Sequence, residues 1–162
     1  MQAISLFGIS AYWITVIVAM ILSILPLPVD VNSFNPDWVL LVLIYWTLAL
    51  PEKTGVFNAW ILGLLVDVLT GRLLGLHALD YALICYVCIS SHKRLRQYPI
   101  PQQSLFIFFF LLFSQILTFW IENIRGNIEL NFSFWFPVLT GTLFWPLIYS
   151  GLRIIRVWGR LD

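Results

Sequence analysis

Asp67, His77 and Asp80 are the residues whose types and spacing could support chemistry in this otherwise apolar sequence. Asp67 interrupts an apolar run that ends at a turn around Gly71 and Gly75. His77 and Asp80 are three residues apart, so they share a face of the next predicted helix and could pair. A carboxylate in a membrane-spanning segment costs roughly 2.5–3.5 kcal/mol on insertion scales. We therefore expect Asp67 to face protein or a water-filled cavity, with either neighbour within reach.

The residue types leave three interpretations of Asp67 open. In the favoured interpretation, Asp67 caps or hydrogen-bonds the end of a neighbouring helix. In the second, Asp67 belongs to a conformational or proton-linked site. A metal site built from Asp67, His77 and Asp80 is the third, but their spacing matches no established metal motif. The sequence contains no nucleophile elbow, phosphate-binding loop or carboxylate pair at catalytic spacing. We therefore predict no metal, no cofactor and no enzymatic activity.

Cys85 and Cys88 have the C-x-x-C spacing of redox motifs. Here the pair lies inside an apolar predicted helix, where thiols are usually buried and inert. We therefore predict a structural role for both cysteines. Glu122 is expected at a membrane interface, and His92 is expected to be a solvated boundary residue.

The composition places the chain among membrane proteins. It is 60% hydrophobic and 10% charged, whereas a soluble domain is about 45–50% apolar and about 25% charged. The mean hydropathy is +0.91. The first charged side chain is Asp30, so the preceding segment is long enough for an uncleaved first span. The net charge of +1 and the lack of a basic-aromatic patch give no indication of nucleic-acid binding.

The elements that must position these residues are predicted to be six transmembrane helices in a single all-α domain covering residues 1–162. The second helix is expected to begin with Asn35 as its N-cap and Pro36 in its first position. At about 21 Å it is short for a hydrocarbon core of about 30 Å, so it either thins the bilayer locally or does not fully cross. The predicted spans are residues 9–25, 37–50, 56–70, 74–91, 103–123 and 132–155.

Lysine and arginine in the short loops predict the orientation. With both termini in the cytoplasm, seven basic residues are inside and two, Arg72 and Arg125, are outside. A re-entrant second helix would reverse this bias, so we predict that it crosses. The basic residues expected at the inner leaflet are Lys93, Arg94, Arg96, Arg153, Arg156 and Arg160, and simple positive-inside anchoring explains them without a specific lipid.

Small residues recur at four-residue steps on the third predicted helix and continue into the following turn. Such spacing lets helix backbones approach closely in a membrane. Asp67 lies on this face, so we predict that it points toward protein rather than lipid. The predicted helix-packing residues are Gly55, Ala59, Gly63, Gly71 and Gly75.

Three runs of the sequence resemble the MreD family of rod shape-determining membrane proteins. They are residues 35–51, which begin Asn35-Pro-Asp-Trp38, residues 63–79 around Asp67, and Phe144-Trp145-Pro146. The second run is the most specific, and Asp67 matches the family's intramembrane aspartate. Asp80 departs from the family pattern, so the resemblance implies no role for it.

The resemblance implies a multi-pass protein of the bacterial inner membrane that is not an enzyme. Its implied direct partner is MreC, and MreB, RodZ, RodA and the elongation-specific penicillin-binding protein are implied members of the same complex. It also implies a fold similar to the substrate-binding membrane subunits of energy-coupling-factor transporters. The leading prediction is a scaffold or regulatory subunit that maintains rod shape by supporting lateral peptidoglycan synthesis. The alternative is a transporter-like subunit that binds a small molecule or a lipid.

Overall fold

The computed structural model describes residues 6–126 and 131–158, and all regular elements in these two ranges are helical. The predicted all-α class is therefore confirmed. Two helical stretches, Ile100–Ile124 and Phe132–Trp158, are long and apolar enough to cross a membrane. In chain order the elements are α1 (Leu6–Ile24), α2 (Val29–Asn32), α3 (Trp38–Ala49), α4 (Val56–Thr70), α5 (Leu76–Leu95), α6 (Ile100–Ile124), a 3₁₀ turn (Phe132–Trp135) and α7 (Phe136–Trp158).

The six longer helices alternate in direction through the bundle. α1 runs antiparallel to α3. Its last residues, Ser23 and Ile24, line the same cavity as Asp37 at the start of α3, whereas Tyr12 and Thr15 contact Trp46 near the end of α3. α4 and α5 form an antiparallel hairpin in which Gly63 meets Ala78. At the turn into α6, the Gln103 side chain donates a 3.0 Å hydrogen bond to a carbonyl oxygen of α5.

This alternation gives the bundle two distinct ends. Residues of the connection 25–37, Arg72 in the turn after α4 and residues 131–134 line one open cavity, so we call this the cavity end. The connections 50–55 and 96–99 and the last turn of α7 lie at the other end, which we call the basic end. The first and the last described helical turns both lie at the basic end.

α3 is the central helix of the bundle. Eleven of its 12 residues are buried, and it packs against α1, α5 and α7. Twelve residues rise only about 18 Å, which is shorter than a lipid-facing helix requires. Since α3 is enclosed by other helices, its length does not have to match the bilayer. The expected local thinning of the bilayer is therefore unnecessary.

The predicted N-cap of the second long helix was wrong. Asp37, not Asn35, caps α3, because its carboxylate accepts a 3.0 Å hydrogen bond from the backbone N–H of Leu40. The Asn35 side chain instead accepts a 2.7 Å hydrogen bond from the indole N–H of Trp38. Pro36 thus lies before the N-cap and not in the first helical position. The N-cap residue is a charged aspartate.

Candidate functional site

The Asp67 carboxylate, near the end of α4, accepts hydrogen bonds from the first backbone N–H groups of α5. Its Oδ2 accepts a 2.8 Å hydrogen bond from the backbone N–H of Gly75, and its Oδ1 accepts a 3.0 Å bond from that of His77. A longer contact of 3.5 Å joins Oδ2 to the backbone nitrogen of Ala78. The first N–H groups of a helix have no partner within the helix and favour an anion. Asp67 therefore caps α5 across the turn, and it is 0% exposed.

The His77 side chain contacts the same carboxylate. Its Nδ1 lies 2.7 Å from Oδ1 of Asp67. Because this oxygen can only accept, the hydrogen of the neutral imidazole is assigned to Nδ1. Nε2 is then left with a lone pair and has no hydrogen-bond partner within the described structure. The ring also meets Tyr81 edge-on, with centroids 5.6 Å apart.

The close approach of α4 to α5 makes this cap possible. A Cβ built on Gly63 would lie 2.5 Å from the backbone nitrogen of Ala78 and from the carbonyl oxygen of His77. These are backbone atoms, so any side chain at Gly63 would separate the helices. Ala59, one turn earlier, is fully buried. The seam between α4 and α5 thus contains the smallest residues where the backbones are nearest.

Three other predicted packing glycines do not pack. A Cβ at Gly55, Gly71 or Gly75 would meet no atom within 4 Å. Gly55 is the N-cap of α4, while Gly71 and Gly75 have φ of +64° and +99°, conformations that L side chains rarely adopt. The turn therefore needs these two glycines for its backbone shape and not for close contact.

Asp80 lies three residues after His77 on α5 but does not pair with it. Its Oδ2 accepts a hydrogen bond from the hydroxyl of Ser114 on α6. Its Oδ1 is buried and has no partner among the described residues, and the residue is 0% exposed. The structure therefore divides the predicted trio: Asp67 and His77 meet each other, whereas Asp80 joins α5 to α6.

Asp37 is a third acid at the cavity end. The Tyr81 hydroxyl donates to both of its carboxylate oxygens at 2.8 Å. Tyr81 is fully buried and lies one turn after His77 on α5. It therefore connects the cap of α3 to the Asp67–His77 pair.

These groups border a cavity of about 770 Å³, a volume within the roughly 300–1,000 Å³ range of ligand sites. His77, Asp37 and Ser114 all contribute to its wall. The other lining residues come from α1, α4, α6 and α7 and from the connections at this end. They include Ser23, Asn32, Asn35, Arg72, Gln115, Thr118, Asn131 and Ser133.

The opposite end carries the predicted inner-leaflet bases. Lys93 and Arg94 lie in the last turn of α5, and Arg96 follows it. Arg96, Arg153 and Arg156 interact electrostatically with Tyr45 of α3, which places them at the same end of the bundle. Arg160 lies outside the described residues.

No cluster of three or more potential metal ligands occurs within residues 6–126 and 131–158. Cys85 and Cys88 are free and buried on α5. The Sγ of Cys85 lies 3.5 Å from the hydroxyl oxygen of Thr47 on α3. Both thiols therefore lie in the interface of α5 with the rest of the bundle.

Tyr81, Asp37 and Ser114 were missed as site residues. Tyr81 could have been found, because it lies four residues after His77 and so shares its helix face. Asp37 could also have been found, because an aspartate just before an apolar helix is a favourable N-cap. No sequence feature indicates Ser114 as a site residue, because its pairing with Asp80 depends on how α6 packs against α5.

Comparisons with known proteins identify the family of this chain. A family model described as rod shape-determining protein MreD matches residues 4–155. The curated rod shape-determining protein MreD of Haemophilus influenzae is 31% identical over 151 residues, covering 89% of this chain and 91% of that protein. No solved structure matches the chain. The match extends over nearly the whole sequence, and the chain therefore belongs to the MreD family of rod shape-determining membrane proteins.

Proposed function

We propose that this protein is a non-enzymatic scaffold of the bacterial elongation machinery. It binds MreC within the inner membrane and so supports lateral peptidoglycan synthesis by RodA and the elongation-specific penicillin-binding protein, together with MreB and RodZ. The observation that carries the proposal is the family match over residues 4–155. A cell-shape role follows from family membership, whereas these partners are part of the proposal.

The outer surface of the bundle supports a role in helix–helix contact. Large apolar side chains are exposed along α6 and α7, including Phe109, Phe113, Leu143 and Leu147. In the bilayer such faces meet either lipid or the transmembrane helix of a partner. Interfaces of this kind need shape complementarity rather than catalytic groups.

We propose that all six long helices cross the membrane, with both termini in the cytoplasm and the cavity facing outward. The alternation of the helices and the bases at the basic end support this orientation. Asn32→Cys, at the cavity end, should react with an impermeant thiol reagent from outside, and Gln97→Cys only from inside. Cys85 and Cys88 are buried, so they leave a low background. Labelling of Asn32→Cys only from the cytoplasm would overturn the orientation.

The direct test of the scaffold is a pull-down of the full-length protein from membranes in mild detergent. Recovery of MreC together with the synthase is the expected result. Recovery of this protein alone, at full yield and with its fold intact, would contradict the proposal.

A companion assay uses Asp67→Leu in cells that depend on this protein for shape. We expect the variant to reach the membrane but to maintain rod shape poorly, because α5 loses its cap. Asp30→Asn is the matched control, since Asp30 is exposed. Normal rods at normal protein level would count against a role for Asp67 in shape maintenance.

A further inference from the structure

The cavity wall contains a ring nitrogen for which the described residues provide no hydrogen-bond partner. It belongs to His77, which is 8% exposed and lines the cavity. The Nδ1 of this ring is held by Asp67 at 2.7 Å, so its Nε2, on the far side of the ring, is the nitrogen that remains without a partner among the described residues. A histidine that served only to hold α5 would need only its Nδ1. The free Nε2 in a cavity of about 770 Å³ is therefore a binding feature.

Three polar groups that line the cavity with His77 have spare acceptor capacity. The Asp37 carboxylate receives Leu40 N–H and Tyr81 O–H, which leaves part of its acceptor capacity free. The Ser114 hydroxyl donates its hydrogen to Asp80, so its oxygen can still accept. The Gln115 amide nitrogen donates to the carbonyl oxygen of Phe134 at 2.6 Å, so its Oε1 remains an acceptor. A ligand that brings hydrogen-bond donors suits this part of the wall, whereas Arg72 and the amide and hydroxyl side chains of Asn32, Asn35, Thr118 and Ser133 offer donors elsewhere in the lining.

The charges at this end favour a cationic donor. Three carboxylates, Asp37, Asp67 and Asp80, lie at this end of the bundle, and Asp37 lines the cavity. Among the described residues, Asp37 and Asp80 have no ion-pair partner within 4 Å. Arg72 is the one base in the described lining, and it is exposed at the end of α4. A neutral hydroxyl would satisfy His77 but would leave the charge of Asp37 without a counterion.

We propose that the cavity binds a primary ammonium group between Nε2 of His77 and the carboxylate of Asp37. The headgroup of an ethanolamine phospholipid and a free small amine share this chemistry. Both residues contact Tyr81, which places the two acceptors around one fully buried side chain. This site is independent of the scaffold role, because it concerns a ligand within the bundle and not a partner helix.

Binding is measured with the purified full-length protein, using four probes. Ethanolamine phospholipid and choline phospholipid are compared in nanodiscs, and free ethanolamine and free choline are compared in detergent. Choline carries the same charge without an N–H donor, so it isolates the hydrogen bonds. We expect the ethanolamine form to bind at least about tenfold more tightly in one or both pairs, since hydrogen bonds to charged groups are the strong ones.

The two pairs identify the source of the ammonium group. Preference in the lipid pair alone assigns a phospholipid headgroup, and preference in the free pair assigns a small amine. Either result supports the site. Equal binding of ethanolamine and choline forms in both pairs, or no binding of either amine, would overturn it.

Three variants locate the site. His77→Asn retains a nitrogen donor near the position of Nδ1 for Asp67 but removes the acceptor at Nε2. Asp37→Asn retains a good N-cap for α3 but removes the charge. Each should weaken amine binding about tenfold, whereas Asp30→Asn, which removes an exposed acid, should not. Melting temperatures and gel filtration identify any variant that misfolds.

Unchanged binding in folded His77→Asn and Asp37→Asn would overturn the proposal. If either variant misfolds, competition between free ethanolamine and free choline on the wild-type protein still decides it. Recovery of MreC by the same variants reports on the scaffold role separately. Loss of amine binding with normal recovery of MreC would therefore support this site without affecting the scaffold.

Discussion

Asp67 and Asp80 show how differently two buried carboxylates on neighbouring helices can be held. Asp67 receives two backbone N–H groups at 2.8 and 3.0 Å and the imidazole of His77. Asp80 receives only the Ser114 hydroxyl and retains a buried oxygen without a partner. A buried carboxylate stabilises a fold only when enough donors replace its lost water. Asp67 therefore holds α4 and α5 together, whereas Asp80 contributes little to stability.

The largest expected effect comes from removing the well-held carboxylate. Asp67→Ala should lower the free energy of unfolding by about 3–5 kcal/mol, because it leaves the N–H groups of Gly75 and His77 buried without acceptors and removes a cap. Unfolding in mixed micelles measures this change. A loss below about 1 kcal/mol would show that the cap is dispensable.

The next effect comes from forcing the capped helices apart. Gly63→Ala should cost about 2–3 kcal/mol, since the new methyl group meets the backbone of α5 rather than a movable side chain. Gly55→Ala is the matched control, because a Cβ there meets nothing within 4 Å. Equal stability of the two variants would mean that α4 and α5 are not in close contact.

A smaller effect is expected from the turn between the two helices. Gly71→Ala should cost about 1 kcal/mol, because Gly71 has φ of +64° and an L side chain is strained there. Thermal unfolding compared with Gly151→Ala provides the measurement, because Gly151 lies within α7, has no positive φ and would meet no atom within 4 Å. A variant as stable as that control would argue against the left-handed turn.

The smallest effect is expected at the poorly held carboxylate. Asp80→Asn should change stability by no more than about 1 kcal/mol, since the amide oxygen can still accept from Ser114 and a buried charge is removed. The same micelle assay applies. A loss as large as that of Asp67→Ala would erase the difference between the two acids.

The sequence predicted much of the helical framework because its boundaries are marked locally. The predicted span 56–70 coincides with α4, which ends at Gly71, and Pro99 precedes α6. The enclosed position of α3 could not be predicted, because its apolar residues show no polar face that would indicate which side meets lipid. A uniformly apolar helix is equally suited to a core and to a bilayer.

The site was only partly accessible from the sequence for a related reason. The unusual position of Asp67 and its proximity to His77 follow from local spacing across one turn. The contacts of Asp37 with Tyr81 and of Asp80 with Ser114 join residues 44 and 34 positions apart. Such pairs depend on how helices are arranged around α3, which spacing alone does not reveal.

Hydrogen exchange of the first amides of α5 tests the central claim, that the Asp67 carboxylate caps this helix, most directly. In the wild-type protein the amides of Gly75 and His77 should exchange slowly, because both donate to Asp67. Asp67→Ala, which removes both acceptor oxygens, should accelerate their exchange by at least about tenfold, and Asp80→Asn should leave it unchanged. Equally slow exchange in the wild type and in Asp67→Ala would contradict the account.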